Sequence, residues 1–417
     1  MSTMSGFFEP LSNSVYRRLF SAQVIALIGT GISTVALALL AYDMAGDSAG
    51  TVLGIALALK MVAYVSVSPM VAAWARDYPR RRLLVSLDIG RAALVLLIPF
   101  VEAIWQIYVL VFLINACSAG FTPTFQAVIP DVLPDTGRYT KALSLSRLAY
   151  DLEGLLSPAV AAALLGLLSY SGLFALNGVA FLVSAFLVLM TAVPQPPRID
   201  PGTPGNGRSQ GRGRRVLGEL TAGIRAYLAT PRLRGLLALN FAAAAASAMV
   251  IVNTVVFVRD GFSLGDTHVA WALAAAGAGS MVIALLMPRL LNHRPDRTVM
   301  LAGGALLVAG LAATSLVAGF SGLIACWLIL GAGLSLVQTP AGRLIARSGA
   351  SAERPALFAA QFSLSHACWL VTYPLAGIAG AAFGLSTVAL LLTALAAIAA
   401  LGALRLWTPE ELRPSRT

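Results

Sequence analysis

Apolar runs long enough to cross a lipid bilayer recur from one end of this 417-residue chain to the other, and they limit its fold more than any other feature. A helix needs about 20 mainly apolar residues to traverse a hydrocarbon core ~30 Å thick. Twelve such runs are read, at 19–42, 50–74, 83–101, 104–128, 140–168, 171–193, 233–258, 267–288, 298–319, 322–345, 355–381 and 383–406. They are rich in Ala and Leu and do not alternate, so helices are expected rather than barrel strands. The predicted fold class is an all-α membrane protein with twelve transmembrane helices. Composition points the same way. The chain is 58% hydrophobic and only 11% charged, whereas a soluble domain carries roughly 25% charged residues. A polar surface for a soluble protein of this size cannot be assembled from so few charges. The short polar N-terminus runs straight into the first apolar run, and no cleavable signal peptide is expected.

The formal charge of +11 does not imply a nucleic-acid partner, because the basic residues sit between apolar runs rather than on one soluble face. Of the 29 Lys and Arg, Lys60, Arg91 and Arg147 lie well inside spans, and among the others only Arg259 falls on the opposite side from the rest. The positive-inside rule then places both termini in the cytoplasm of a multi-pass plasma-membrane protein. Cys117, Cys326 and Cys368 all fall in apolar runs, and their odd number argues for packing residues rather than disulfides.

Between the sixth and seventh runs the chain changes character. Pro194 to Arg215 is a Pro/Gly/Arg linker, followed by Val216, Leu217, Leu220, Ile224, Tyr227 and Leu228 at helical spacing. This pattern predicts a helix lying on the inner membrane face and ending at Thr230-Pro231. The organisation expected is a bundle over 1–193, a cytoplasmic linker with its interfacial helix over 194–231, and a second bundle over 232–417. Pro79 and Pro295, Thr122-Pro123 and Thr339-Pro340, and Pro158 and Pro374 share a nearly constant offset, which reads as a parallel repeat of six helices. Gly29, Gly31, Gly277, Gly279, Gly331 and Gly333 are expected at close helix contacts.

No phosphate-binding loop is present, since neither Lys60 nor Lys141 follows a glycine. No Ser/His/Asp, paired-Cys or HExxH arrangement suggests an enzyme. Transport without ATP, without a cofactor and without a resident metal is therefore expected. Ionisable residues within spans cost several kcal/mol, about 3 by the lower estimates, unless paired or hydrated. Asp88 and Arg91 are three apart, and Arg147 and Asp151 four apart, so each pair can neutralise itself on one helix face. Both pairs are candidates for proton coupling or for packed ion pairs. Glu153 has no basic residue three or four positions away and is the first choice for a proton-carrying acid. Lys60, Asp151, Glu153 and His366 all fall near mid-span.

The residues Ala73-Trp74-Ala75-Arg76-Asp77-Tyr78-Pro79-Arg80-Arg81-Arg82, the run Gly120-Phe121-Thr122-Pro123 through Pro130-Asp131, and the stretch from Gly218-Glu219-Leu220 to Arg234 resemble the major facilitator superfamily. The resemblance covers nearly the whole chain and is nearest to the drug- and siderophore-exporter branch of proton antiporters. The pattern departs from that family at Ala73, where Gly is usual, and at Ser157-Pro158, where antiporters often have Gly-Pro. What the resemblance implies is a fold of two six-helix pseudo-symmetric bundles. It also implies that spans one, four, seven and ten line the substrate cavity. Those spans offer Gln23, Asn115, Asn240, Asn253 and Gln338, each either a substrate contact or interhelical glue, with Lys60 and His366 added from mid-span. Asp77, Arg80, Arg81 and Arg82 are expected to govern conformational switching. The expected function is proton-coupled efflux of small amphipathic molecules by a monomer in the bilayer. The alternatives are divalent metal efflux of the nickel type, with His366 and Cys368 as ligands, and solute uptake by symport.

Overall fold

A computed structural model of the chain describes residues 6–45, 49–74, 78–195 and 212–407. Among these residues the regular structure is helical and no strand occurs. The first half contains α1 (Ser14–Ala45), α2 (Ala49–Trp74), α3 (Arg80–Leu97), α4 (Ile104–Val132), α5 (Thr136–Leu165) and α6 (Tyr170–Leu189). After α7 (Arg212–Ala229) come α8 (Pro231–Val256), α9 (Asp266–His293), α10 (Asp296–Thr314), α11 (Phe320–Gln338), the short α12 (Ala341–Ala346), α13 (Arg354–Phe383) and α14 (Leu385–Leu406). Eleven of these segments, α11 and α12 together making one, are long and apolar enough to cross a membrane. Bent α5 makes a twelfth if it is counted as one span.

Local chemistry sets the helix ends. Asn13 Oδ1 accepts from the Val15 and Tyr16 amides at the start of α1, and Asp135 accepts from the Arg138 amide at the start of α5. Pro79 and Pro295 precede α3 and α10 in extended backbone, where a missing N–H costs nothing. Two breaks interrupt expected runs, and a third joins two of them. The segments Thr136–Ser157 and Ala159–Leu165 of α5 meet at 43°. The run expected to continue to 345 is interrupted at Thr339-Pro340, between α11 and α12. Gly384 turns the chain from α13 into α14 at φ 83°, a conformation that favours glycine.

Polar and apolar residues are distributed as lipid requires. Asp88, Asn177, Ser184, Asn240 and Asn253 are buried, while Leu167, Phe186, Ile378 and Ile398 are exposed. The chain forms two compact units. One comprises 1–139, 156–227 and 345–363, and the other 140–155, 228–344 and 364–417. Each unit therefore takes a piece of α5 and a piece of α13. In the first unit α1 packs on α6, α2 on α4, and α3 on both α4 and α6. In the second, α8 packs on α14, α9 on α11, and α10 on both α11 and α14. These two sets of neighbours correspond helix for helix.

The cores are built accordingly. Ile32, Ile107, Leu173, Phe174 and Phe181 interlock in the first unit. In the second, the run Ala242–Ala246 on α8 is fully buried, as is Trp327, which donates to Thr254 Oγ1 at 2.7 Å. Small residues let two helices of this unit touch by their backbones. A Cβ at Gly331 would stand 1.8 Å from the Ala276 carbonyl oxygen, and one at Gly279 would stand 2.0 Å from that of Leu328. Gly277 corrects the expectation, because a Cβ there would meet nothing within 4 Å. It lies two residues from Gly279, on a different side of the helix.

Candidate functional site

Four spanning-helix charges and hydroxyls or amides that are distant in sequence meet inside the second unit. Arg147 and Asp151, one turn apart on α5, form an ion pair with Nη2 3.1 Å from Oδ1. Ser280 of α9 bridges them. It accepts from Arg147 Nε at 2.8 Å and donates to Asp151 Oδ2 at 2.6 Å. Arg147 Nη1 also donates to Gln338 Oε1. The arginine and aspartate side chains are 18% and 8% exposed. Backbone packing puts the partners in place, because Ser280 follows Gly279 at the α9–α11 contact and Gln338 is the last residue of α11 before Thr339-Pro340. The result is one hydrogen-bonded network across three helices, held by the negative charge of Asp151. A proton on that carboxyl would remove the charge that both Arg147 and Ser280 address.

Two further ion clusters sit at helix ends. In the first unit, Asp131 near the end of α4 accepts from Arg80 Nη1 at 2.7 Å, Arg354 Nη1 at 2.6 Å and Ser351 Oγ at 3.0 Å. Arg80 is 4% exposed, and its backbone amide donates to Gln195 Oε1 at 3.1 Å. In the second unit, Asp296 at the start of α10 pairs with Arg343 of α12 at 3.2 Å, and Arg343 donates to Thr140 Oγ1 on α5 at 3.2 Å. Asp88 and Arg91 form a closed site of another kind. Asp88 is fully buried, bonded to Arg91 and accepting from Ser184 Oγ at 2.8 Å. The Arg91 guanidinium lies between the Phe121 and Phe181 rings, 4.2 and 4.4 Å from their centroids.

The sequence pattern of the Major Facilitator Superfamily matches residues 19–259 and 236–417. The chain belongs to the Major Facilitator Superfamily. It is a multi-pass membrane transporter of small molecules, with the all-α fold of that superfamily. An uncharacterized MFS-type transporter of Bacillus subtilis, YfiS, is 23% identical over 334 residues, covering 77% of this chain and 76% of that protein. Macrolide efflux protein A of Streptococcus pyogenes is 22% identical over 182 residues, 42% of this chain and 44% of its own length. The human organic anion transporter MFSD10 (TETRAN) superposes with a TM-score of 0.78 at 13% identity, over 93% of this chain and 98% of that one. The Escherichia coli fucose:proton symporter FucP does so with a TM-score of 0.70 at 13% identity, over 94% and 98%. At these identities the two structures establish the fold.

Within this transporter the remaining candidates separate. Asn115 and Asn240 spend their amides on the carbonyls of Val111 and Leu236, one turn back on their own helices. Asn253, 2% exposed, reaches toward Ala376 of α13. Asn240 is buried like Asn253, whereas Asn115 is half-buried. Gln23 and Glu153 are half-buried, and each has an interaction of its own. His366 stacks edge-on against Trp369, 4.9 Å between centroids. Lys60 lies over the Tyr64 ring at 5.7 Å. Arg81 and Arg82 are exposed, and Asp77 lies outside the described residues. Among the described residues no three His, Cys, Asp or Glu side chains gather where they could hold a metal ion, and His366 and Cys368 are not part of such a group. Sequence reading missed Ser280, Ser184, Arg354, Asp296 and Arg343. For the Asp296 cluster a signal existed, because the repeat offset that matches Pro79 to Pro295 carries Arg80 onto Asp296.

Proposed function

We propose that this transporter is a plasma-membrane exporter that moves small amphipathic molecules out of the cytoplasm in exchange for protons, by alternating access. The Arg147–Asp151–Ser280–Gln338 network is the observation that carries this reading. A membrane-embedded carboxylate whose charge ties three helices together is a two-state element. Ionised, it holds Arg147 and Ser280. Protonated, it releases the arginine to other acceptors, Gln338 of α11 among them, and loosens α5 from α9. Asp151 is thus the coupling acid in this account. Gln338 links the same network to α11, one of the cavity-lining helices. Gln23 and His366 are the further polar groups assigned to the substrate path.

The Asp88–Arg91 pair is assigned a structural role, because its hydrogen bonds are internal and its guanidinium is closed between two rings. The Asp131 and Asp296 clusters, together with the Asp77 loop, are assigned to gating. Each of the two clusters fastens the start of α3 or α10 to neighbouring helix ends, as a latch that opens and closes must. The termini and the 194–231 segment are cytoplasmic in this account, supported by the one-sided distribution of basic residues. The distant similarity to a macrolide efflux protein supports export over uptake.

Inside-out membrane vesicles containing the full chain test this reading. An imposed acid-inside gradient should drive accumulation of an amphipathic dye such as ethidium, and an uncoupler should release it. Accumulation that survives the uncoupler, or none with any amphipathic dye, would contradict the proposal.

A further inference from the structure

Lys60 stands about 16 Å along α2 from Ala49, deep in a spanning helix. Among the described residues it has no ion pair, and its contact is with the Tyr64 ring. Its direction is set by the residues one and two turns on. Tyr64 meets Phe362 of α13, 4.9 Å between centroids at 60°. Ser68 Oγ donates to the Ala359 carbonyl at 3.3 Å, and Ser363 Oγ donates to the Val65 carbonyl at 2.6 Å. The stripe Lys60–Tyr64–Ser68 therefore faces the first turns of α13 within its own unit rather than lipid. Lys60 is half-buried, one turn beyond the last of these contacts.

A cation in this position costs several kcal/mol unless an anion or water reaches it. The opposite charges nearest in kind are already committed elsewhere in the same unit. Asp88 holds Arg91, and Asp131 holds Arg80 and Arg354. We infer that Lys60, with the Tyr64–Phe362 aromatic step beside it, is a subsite for an amphipathic organic anion. The acid group of the ligand pairs with the ammonium, and its ring system lies against the two aromatic side chains. This rests on the reading of the chain as an exporter of amphipathic molecules and adds the sign of charge.

Three probes of similar size separate the possibilities: 8-anilino-1-naphthalenesulfonate, the neutral N-phenyl-1-naphthylamine that keeps its ring system, and cationic ethidium. Equilibrium dialysis against the purified full chain measures the first two. Lys60→Gln should weaken the sulfonate by about ten-fold, the loss of one charge-assisted hydrogen bond, and leave the neutral probe nearly unchanged. Lys60→Arg should restore most of the sulfonate affinity, which also shows that the site folds. Equal affinity of the wild type and Lys60→Gln for the sulfonate, equal losses for both probes, or no saturable sulfonate binding would each overturn the subsite. Gradient-driven ethidium accumulation in vesicles reads the parent proposal separately. If it persists while the sulfonate ignores Lys60, only the anion subsite fails. If the wild type accumulates no amphipathic dye under the gradient, the export reading fails instead.

Discussion

Arg80 and Asp296 occupy equivalent places, each the first residue of a helix and each preceded by an extended proline, yet they carry opposite charges. Each finds its counter-ion past or near the end of the following span, Arg80 in Asp131 and Asp296 in Arg343. Each cluster also takes a partner from the start of one of the two helices shared between the units. Arg354 of α13 bonds Asp131, and Thr140 of α5 bonds Arg343. The ion cluster is thus repeated with its charges exchanged, so that a repeated helix packing carries chemically distinct contacts.

Asp131→Asn keeps the shape of the first latch and removes the charge shared by Arg80 and Arg354. Leaving buried Arg80 without its counter-ion should cost about 3 kcal/mol of stability. Transport of every substrate should slow by a common factor. Thermal unfolding in detergent and initial rates for two unlike dyes check both statements. A changed substrate ranking at unchanged turnover would assign Asp131 to the substrate path.

Gly331→Val should separate α9 from α11, because a Cβ at that position meets a backbone carbonyl that no rotamer change can move. Overpacking of this kind costs about 1–3 kcal/mol. Gly277→Ala, where a Cβ meets open space, should not lower the melting temperature, and the helix propensity of Ala should raise it slightly. The pair of melting curves is the measurement.

Arg91→Met should destabilise the protein strongly, by about 3–5 kcal/mol, because it strands the fully buried Asp88. The double variant Asp88→Leu/Arg91→Met should recover most of that loss. Recovery of folding with dye accumulation intact is the expected outcome. Recovery of folding with accumulation abolished would move the pair into the coupling machinery.

The spans and their order were legible in the sequence because apolarity is a property each segment carries by itself. The Asp88–Arg91 and Arg147–Asp151 pairs were legible for a similar reason, since spacings of three and four are neighbours on any helix. The bridge between the second pair and Gln338 was not. Ser280 lies 129 residues from Asp151, and a lone serine in an apolar run carries no mark of what it faces. Arg354 is likewise 223 residues from Asp131. Glycine spacing was half informative. Gly279 and Gly331 are at a backbone contact and Gly277 is not, and the difference depends on helix rotation, which composition does not record. The first choice of Glu153 as proton carrier rested on what lies along its own helix. The contact made to Asp151 by Ser280 of α9, and to Arg147 by Gln338 of α11, lies beyond that helix.

A reporter active only in the cytoplasm, fused after Thr417, should be active, as should one inserted within the 194–211 linker. Activity of a periplasmic reporter at either place would reverse the orientation and with it the direction of export.

The most direct test of the central claim is Asp151→Asn in inside-out vesicles, with two assays on one preparation. Asparagine keeps the size of the side chain and its place beside Ser280 but cannot hold Arg147 by charge or exchange a proton. Gradient-driven accumulation of ethidium should be lost, while exchange of labelled for unlabelled ethidium without a gradient should continue near the wild-type rate. Accumulation against the gradient at the wild-type level would show that proton coupling does not pass through Asp151, and the account would be wrong.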